Sequence, residues 1–546
     1  MSRRVNPNVA LARAVWADRY RCTLGPGPDA AIPATYARVA AFAAAAGPDP
    51  RGWTTRYRRL MEAGVFLPAG RVLAGAGCGS GRTLLNCFVM SPAPDGSAAQ
   101  TRWLAEAAVT LAAGGGVGWD FSELAPAGGR ARGVLHALSA CEQMCQASTA
   151  GDSRGGAMMA ALDIAHPDAP GFIDAKRQAG VLPRFNLSLL VDDQFMLALA
   201  GQPGRGSHWR PAEALARWRQ VLSSMLESSE PGLLFTGTIN RENNLWWRER
   251  LAGTNPCGEV PLPPYGACML GSVNLARLVR RPFTRAAHLD VDRLEGVVSA
   301  AVRMLDDLLD RAGYPLARQR RVALQSRRLG LGVLGLADAL AMLGLRYDAP
   351  EAVEAAGQIM ERVKLAAYAA SVRLARWRGA FPAWQRDRYL SGAFVTRLPG
   401  PLRDSIARHG IRNSHLLAVA PTGSISLLAG NVSPGIEPIP RLEGVRTLQT
   451  RGGRQVFRVA DAAWLAWRRS HRGRGVFVEA QEVSPLAQLA MQAGLQPHVD
   501  GAIAKTLLLP ARTSVRQLDQ WLRWAYRHGI KGLAVHRPGS VRSCPT

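Results

Sequence analysis

Over residues 1 to about 65, rich in alanine, the apolar positions recur with helical spacing. TYARVAAFAAAAG, from Thr35, ends on a glycine suited to a helix C-terminus. A small helical N-terminal region over 1–65 is expected. From residue 66 the pattern changes: short apolar runs such as TLLNCFVM and FNLSLLV alternate with longer helical stretches such as EGVVSAAVRMLDDLLDRA. That alternation predicts an α/β architecture. No repeat at a solenoid period and no low-complexity linker interrupts it, so residues 66–530 are expected as one large domain. Residues 531–546, ending RPGSVRSCPT, read as a loose C-terminal tail.

Composition narrows the class. At 546 residues and 47% hydrophobic, the chain can bury a large core. MSRRVNPNVALARAVWADRY lacks the uninterrupted apolar region of a signal peptide, and no apolar run of membrane-spanning length follows. A cytoplasmic protein with no membrane partner is expected. In that compartment the 8 cysteines are expected as reduced thiols, with any disulfide transient and catalytic. The formal charge of +26 raises a nucleic-acid reading. Its distribution opposes one: apart from Lys176, Lys364, Lys505 and Lys531 the positive charge is arginine, spread along the whole chain among alanine and glycine. The densest segment, RQRRVALQSRR from Arg318 to Arg328, reads as a solvated helix face.

Two glycine-rich segments compete for attention. GLGVLG, Gly330 to Gly335, satisfies the spacing of a dinucleotide-binding turn through Gly330, Gly332 and Gly335. The preceding VALQSRRL puts two arginines where a buried parallel strand should be apolar, which favours a helix packed closely through glycines. GGGVGWDFS, from Gly114, follows a helical pattern, so its glycines are expected to permit a tight backbone turn. APTGSISLLAGN, residues 420–431, is a better anion candidate. Pro421, Thr422, Gly423 and Ser424 would open a helix with free backbone N–H groups and small hydroxyls, a setting that favours phosphate; an ordinary Ser/Thr-capped helix is the alternative.

The segment TNPCGEVPLPPYGACMLGSVNL, residues 254–275, carries two cysteines without the CxxC spacing of a structural zinc site. If Asn255 to Glu259 is extended, Asn255, Cys257 and Glu259 share one face, showing amide, thiol and carboxylate together. Pro256 keeps Asn255 out of a helical conformation, and Pro263 with Pro264 stiffens the return to Cys268. A carboxylate so near disfavours the thiolate, which makes a poor ionic nucleophile. A neutral thiol can instead carry a hydrogen atom.

At this point the chain resembles the ribonucleotide reductases, most closely the adenosylcobalamin-dependent class. The resemblance rests on INRENNLWWRERLAGTNPCGEVPLPPYGACMLGSVNL together with LPAGRVLAGAG, TLLNCFVM, GGGVGWDFS, HPDAPGFIDAK, FNLSLLVDDQFM, RLGLGVLGLAD and APTGSISLLAGNVSPGIEP, which fall in the family's order. It implies a ten-stranded α/β barrel with a central finger loop, behind the helical N-terminal region. It implies that Cys257 carries a thiyl radical that abstracts the ribose 3′ hydrogen, that Glu259 takes the 3′-hydroxyl proton and that Asn255 binds substrate. Cys87 and Cys268 would supply two electrons at C2′ and end as a disulfide. Pro421, Thr422, Gly423 and Ser424 would hold the phosphates, and no metal ligands are expected. Implied partners are a ribonucleotide, a deoxynucleotide effector, a thioredoxin-like or small dithiol reductant and a second copy in a homodimer.

Several features refine the resemblance. Relatives that import their radical from another subunit carry an adjacent tyrosine pair late in the chain. Here YRHGIKGLAVHRPGS offers Tyr526 alone, with His536 where an aromatic is expected, which favours adenosylcobalamin as cofactor. The family's LRP is LAP at Leu124, Ala125 and Pro126, and its RRGA is SRGGA from Ser153, which puts effector control in question although Lys176 to Arg184 falls where the specificity loop belongs. No amino-terminal regulatory ATP domain is expected before residue 66. The tail has Cys544 alone, where relatives use two cysteines to re-reduce the active-site disulfide. The competing readings are a catalytically impaired paralogue and a nicotinamide-dependent dehydrogenase.

Overall fold

The computed structural model describes residues 6–541 apart from 25, 26, 46, 92–95, 129–131, 150–155 and 451. The chain opens with α1 (Asn8–Arg19), α2 (Ile32–Ala44) and α3 (Pro50–Glu62). Proline lies in the first turn of α2 and α3, and Asp49 caps α3 by accepting the Gly52 N–H at 3.0 Å. Val39, Ala40 and Ala43 on α2 are wholly buried; their small side chains let α2 pack closely on α3. The expected helical N-terminal region is therefore present. Its core is continuous with that of the rest of the chain.

One cysteine expectation fails here. Cys22, beyond α1, and Cys78, beyond α4 (Gly70–Gly75), form a disulfide with Cα atoms 5.8 Å apart. They are 56 residues apart in sequence, and only packing brings them into range. Cys87, Cys141, Cys145, Cys257 and Cys268 are free.

The strands are β1 (Phe66–Pro68), β2 (Cys87–Val89), β3 (Gly116–Asp120), β4 (Met158–Asp163), β5 (Phe185–Val191), β6 (Gly232–Phe235), β7 (Gly253–Thr254), β8 (Pro261–Leu262) and β9 (Ala267–Asn274). After them come a hairpin of β10 (Val279–Arg280) and β11 (His288–Leu289), then β12 (Leu329–Leu334), a hairpin of β13 (Glu443–Thr450) and β14 (Gly453–Ala460), β15 (Thr506–Leu508) and β16 (Gly532–His536). A 10-stranded sheet has the order β1-β9-β2-β3-β4-β5-β6-β16-β15, with β12 beside β9. Strands β2 to β6 run parallel, as do β9 with β12 and β15 with β16. The two sets meet antiparallel at β2–β9 and β6–β16. Parallel bridges at Leu331–Leu417 and Val419–Ile503 extend the β12 edge toward the segment leading into β15. Helices cover the parallel strands, so runs such as MMAALD and FNLSLLV are buried almost throughout.

Three sequence expectations change. GLGVLG is a strand running into a helix: Leu329–Leu334 is β12 and Gly335 precedes the helix Leu336–Met342. Glycine is needed there for close approach, since a Cβ on Gly332 would come 2.6 Å from the Ala418 carbonyl oxygen. The strand removes both the close-packed helix and the dinucleotide turn as readings of this segment. Arg327 and Arg328 are not solvated like their neighbours. Both are buried, Arg327 in ion pairs with Asp306 and Asp310, Arg328 with Glu249. Gly532–His536, placed in the tail by its sequence, supplies strand β16, which pairs parallel with β15 and antiparallel with β6. The expected turn at Gly114 does form, with φ at +91°.

The connection from β6 to β9 matters most. It leaves through the helix Thr236–Arg241, returns as β7, turns, and runs back as β8. A Cβ on Gly118 would lie 1.8 Å from the Thr254 carbonyl oxygen, and one on Gly116 would lie 3.1 Å from Pro256. The glycines of β3 thus let this loop lie directly against the sheet.

Candidate active site

The tip of the β7–β8 loop is a turn, which corrects the expectation of an extended segment. Gly258 N–H donates to the Asn255 carbonyl at 3.0 Å, with Pro256 second in the turn, and Gly258 has φ +84°. Asn-Pro-Cys-Gly has the residues such a turn prefers, with Asn first, Pro second and Gly fourth, so the signal was present in the sequence. Cys257 sits at the tip as the third residue. Asn255 and Glu259 flank it and still meet: Asn255 Nδ2 donates to Glu259 Oε2 at 2.8 Å. The same amide nitrogen donates to Cys87 Sγ at 3.1 Å, while Val260 N–H donates to Asn255 Oδ1 at 3.0 Å. Asn255 is therefore the hub that fixes carboxylate and thiol relative to each other.

Cys87 lies on β2 directly opposite Cys268 on β9, across an antiparallel pair. Opposed Cβ atoms in such a pair are about 4.5–5.5 Å apart, within a small adjustment of disulfide geometry. Cys87 Sγ also donates to Glu259 Oε1 at 3.9 Å. A cavity of about 300 Å³ is lined by Cys87, Asn255, Cys257 and Glu259 and by the segment Pro421 to Ser424. Cys268 stands beside Cys87 on the neighbouring strand and is not among the residues that line the cavity. Pro421 to Ser424 precede or open the helix Gly423–Leu428, as expected, and Thr422 Oγ1 accepts the Gly435 N–H at 2.7 Å.

Burial pushes the thiols of Cys257, Cys87 and Cys268 up, and the Glu259 charge adds to the effect at each. All three are neutral thiols at physiological pH. Burial also raises the Glu259 carboxyl, to about 7, against the opposing hydrogen bond from Asn255. Ionic nucleophilic catalysis by Cys257 is therefore disfavoured, while hydrogen-atom transfer from a neutral thiol is not.

Cys257 also faces a second cavity, of about 230 Å³, bounded by Asn186, Ser188, Glu437, Lys505 and His536 among others. The thiol is open to both spaces although protein walls surround it. Tyr526, by contrast, donates to Asp193 at 2.9 Å and packs on Phe235, outside both cavities. Of the departures in sequence, Leu124 is buried with its carbonyl bonded to His166 at 2.9 Å. Ser153 to Gly155 and Cys544 lie outside the described residues.

Three contributors were missed by sequence reasoning. Asn86 lines the first cavity with its Oδ1 buried and without a partner among the described residues, a ready acceptor for a hydroxyl-bearing ligand. Tyr20 donates from its hydroxyl to Ser424 Oγ at 2.6 Å, tying the end of α1 to the segment Pro421 to Ser424. Asn186 on β5 donates from Nδ2 to the Pro256 carbonyl at 2.6 Å. Asn86 and Asn186 lie in the motifs TLLNCFVM and FNLSLLVDDQFM, which could have drawn attention to them, whereas Tyr20 stands in no local pattern that signals its role.

Residues 85–209 and 205–536 match the family model for the ribonucleotide reductase barrel domain. The chain belongs to the ribonucleotide reductases. It is 37% identical to the vitamin B12-dependent ribonucleoside-diphosphate reductase of Mycobacterium tuberculosis (strain CDC 1551 / Oshkosh), over 90% of this chain and 72% of that protein. It is 30% identical to the protein of the same description from Thermoplasma acidophilum, over 94% of this chain and 68% of that one. Similarity to the ribonucleoside-diphosphate reductase subunit alpha of Chlamydia pneumoniae is lower, at 25% over 72% of this chain.

Proposed function

We propose that this reductase converts ribonucleoside diphosphates to 2′-deoxynucleotides with adenosylcobalamin as cofactor. The observation that carries the reading is the turn Asn255 to Glu259, which stands between two cavities with the Cys87–Cys268 pair behind it. The strongest relatives' names supply the diphosphate and the cofactor. We further read the bridges at Leu331–Leu417 and Val419–Ile503 as completing a ring of ten strand segments, with the β7–β8 loop as its finger.

In this reading the nucleotide lies in the first cavity, with its phosphates toward Pro421, Thr422, Gly423 and Ser424 and its ribose against the turn. Cys257 takes the 3′ hydrogen and later returns it. Glu259, as carboxylate, accepts the 3′-hydroxyl proton, and Asn255 holds that carboxylate in place. The 2′-hydroxyl leaves as water. Cys87 and Cys268 give two electrons and two hydrogens, one hydrogen to the water and one to C2′, and end joined as a disulfide. A thioredoxin-like protein or small dithiol must then restore them. A second copy of the chain and a deoxynucleotide effector belong to the same reading.

The second cavity fits the cofactor side. It reaches the Cys257 thiol, and a Cβ on Gly258 would meet nothing within 4 Å, so open space adjoins the tip. Ser188, His536 and the Glu437–Lys505 pair would face the part of the cofactor nearest the thiol, since about 230 Å³ is too small to enclose the whole cobalamin. Adenosylcobalamin, when bound, supplies the homolytic chemistry that makes a thiyl from a thiol.

The test is anaerobic incubation of the protein with adenosylcobalamin, a ribonucleoside diphosphate and dithiothreitol, with assay for the deoxynucleotide. Product that requires the cofactor, and forms faster from diphosphate than triphosphate, is expected. Product without the cofactor, or none with it, overturns the reading.

The Glu259 carboxyl sets a pH limb. Its raised pKa means that the required carboxylate is present above about 7 and lost as pH falls through that value, well above the usual 4.5. The acid limb of kcat/KM is expected near 7. Glu259→Gln should lose roughly 10²- to 10⁴-fold in kcat and show no such limb in a pH–rate profile.

A further inference from the structure

Asn186 is placed to control the radical-bearing thiol without touching substrate. Its Nδ2 donates at 2.6 Å to the carbonyl of Pro256, the oxygen of the peptide unit that leads into Cys257. Holding that oxygen fixes the plane of the Pro256–Cys257 peptide, and with it the direction of the Cys257 Cα–Cβ bond. The bonds from Gly258 N–H and Val260 N–H to Asn255 close the turn, and Asn255 Nδ2 on Cys87 ties its first residue to β2; the Asn186 bond is the one made to the peptide that carries Cys257.

Asn186 is itself braced on both sides. Lys176 Nζ donates to the carbonyl of Phe185 at 2.6 Å and pairs with Glu230 at 3.0 Å, and the other Glu230 oxygen accepts the N–H of Leu187 at 2.9 Å. The Lys176 and Glu230 side chains are only 10% and 3% exposed. A buried ion pair repays its desolvation only when its remaining hydrogen-bonding groups are satisfied, and here two of them grip the main chain immediately before and after Asn186.

We propose that Asn186 is a positioning residue for Cys257, acting through the Pro256 carbonyl, and that the Lys176–Glu230 pair exists to hold Asn186 in register. The proposal rests on Cys257 being the thiol that abstracts hydrogen. Hydrogen transfer is steep in distance and angle, and a misplacement of about 1 Å can cost about 10²-fold in rate. Nucleotide binding, which the proposed function assigns to Pro421 to Ser424, is expected to be little affected by that tilt.

The experiment compares Asn186→Ala and Asn186→Asp with the parent and with Cys257→Ser, using adenosylcobalamin and both ordinary and 3′-deuterated ribonucleoside diphosphate. Asp keeps the shape of Asn but, as a carboxylate, sets an acceptor against the Pro256 carbonyl. Both Asn186 variants are expected to lose about tenfold or more in kcat, to keep KM within about twofold, and to show a larger deuterium isotope effect on kcat as hydrogen abstraction becomes slower. Thermal unfolding checks that each variant folds; if Asn186→Ala does not, Asn186→Asp carries the test. The inference is overturned if kcat stays within about twofold of the parent, if Asp alone restores parent kinetics, or if KM rises as kcat falls with the isotope effect unchanged. Activity in Cys257→Ser would instead overturn the reading of the cysteine on which this inference rests.

Discussion

Cys257→Ser is expected to abolish deoxynucleotide formation, a loss of at least about 10³-fold or more than about 4 kcal/mol in barrier, while nucleotide affinity stays within about twofold of the parent. Serine reproduces the shape of cysteine at the tip of the turn, and the turn is closed by Asn255, Pro256 and Gly258, none of which needs the sulfur. The fold and the cavity therefore survive. What changes is the bond: a hydroxyl O–H is too strong to exchange a hydrogen atom with a C–H as a thiol does. The burial that keeps Cys257 neutral has no bearing on the variant, since a hydroxyl is neutral in any case. The measurement pairs a product assay with nucleotide binding by equilibrium dialysis. Residual turnover above about a hundredth of the parent would show that another group carries the radical.

The second large effect separates reducing thiols from the radical carrier. Cys87→Ser or Cys268→Ser is expected to cut normal product by about 10²-fold or more while hydrogen abstraction from C3′ continues, so that nucleotide is consumed without deoxynucleotide appearing. The reasoning is geometric. Cys87 and Cys268 are cross-strand partners on β2 and β9, whereas Cys257 stands on a separate loop held by its own hydrogen bonds. Removing one thiol of the pair leaves a single electron donor for a two-electron reduction. Loss of tritium from 3′-labelled nucleotide, compared with deoxynucleotide formed, reads the uncoupling. A variant that reduces nucleotide at the parent rate would make that cysteine structural.

Cys22 and Cys78 show why the cysteine inventory was only partly readable. Counting thiols and assigning a compartment gave reduced cysteines with any disulfide transient, yet these two meet because the segments that follow α1 and α4 are brought together in the fold. No spacing rule links residues 56 positions apart. The same holds at Arg327 and Arg328, which continue an exposed arginine-rich segment in sequence but turn inward where the chain leaves the helix Ala317–Ser326 to enter β12.

The sequence alone determined the α/β class, the helical N-terminus and the chemistry at the tip of the loop. These depend on information that is local. Hydrophobic period distinguishes strand from helix, and Asn255, Cys257 and Glu259 lie close enough in sequence to be read as one group. The shared face expected from an extended segment is replaced by a turn in which Asn255 and Glu259 meet and Cys257 stands at the tip. The ordered motifs added Cys87, Cys268 and the Pro421 to Ser424 segment, but as roles without positions. Tertiary structure decided the rest. Only the pairing of β2 with β9 sets Cys87 opposite Cys268, and only the bare glycines of β3 admit the loop that brings Cys257 between two cavities. Asn186 and Tyr20 acquire their contacts from chain segments 70 residues away in the case of Asn186 and 404 in the case of Tyr20. A hydrogen bond of that span leaves no mark on local propensity, because its geometry is fixed by how the sheet and helices pack and not by the residues beside it.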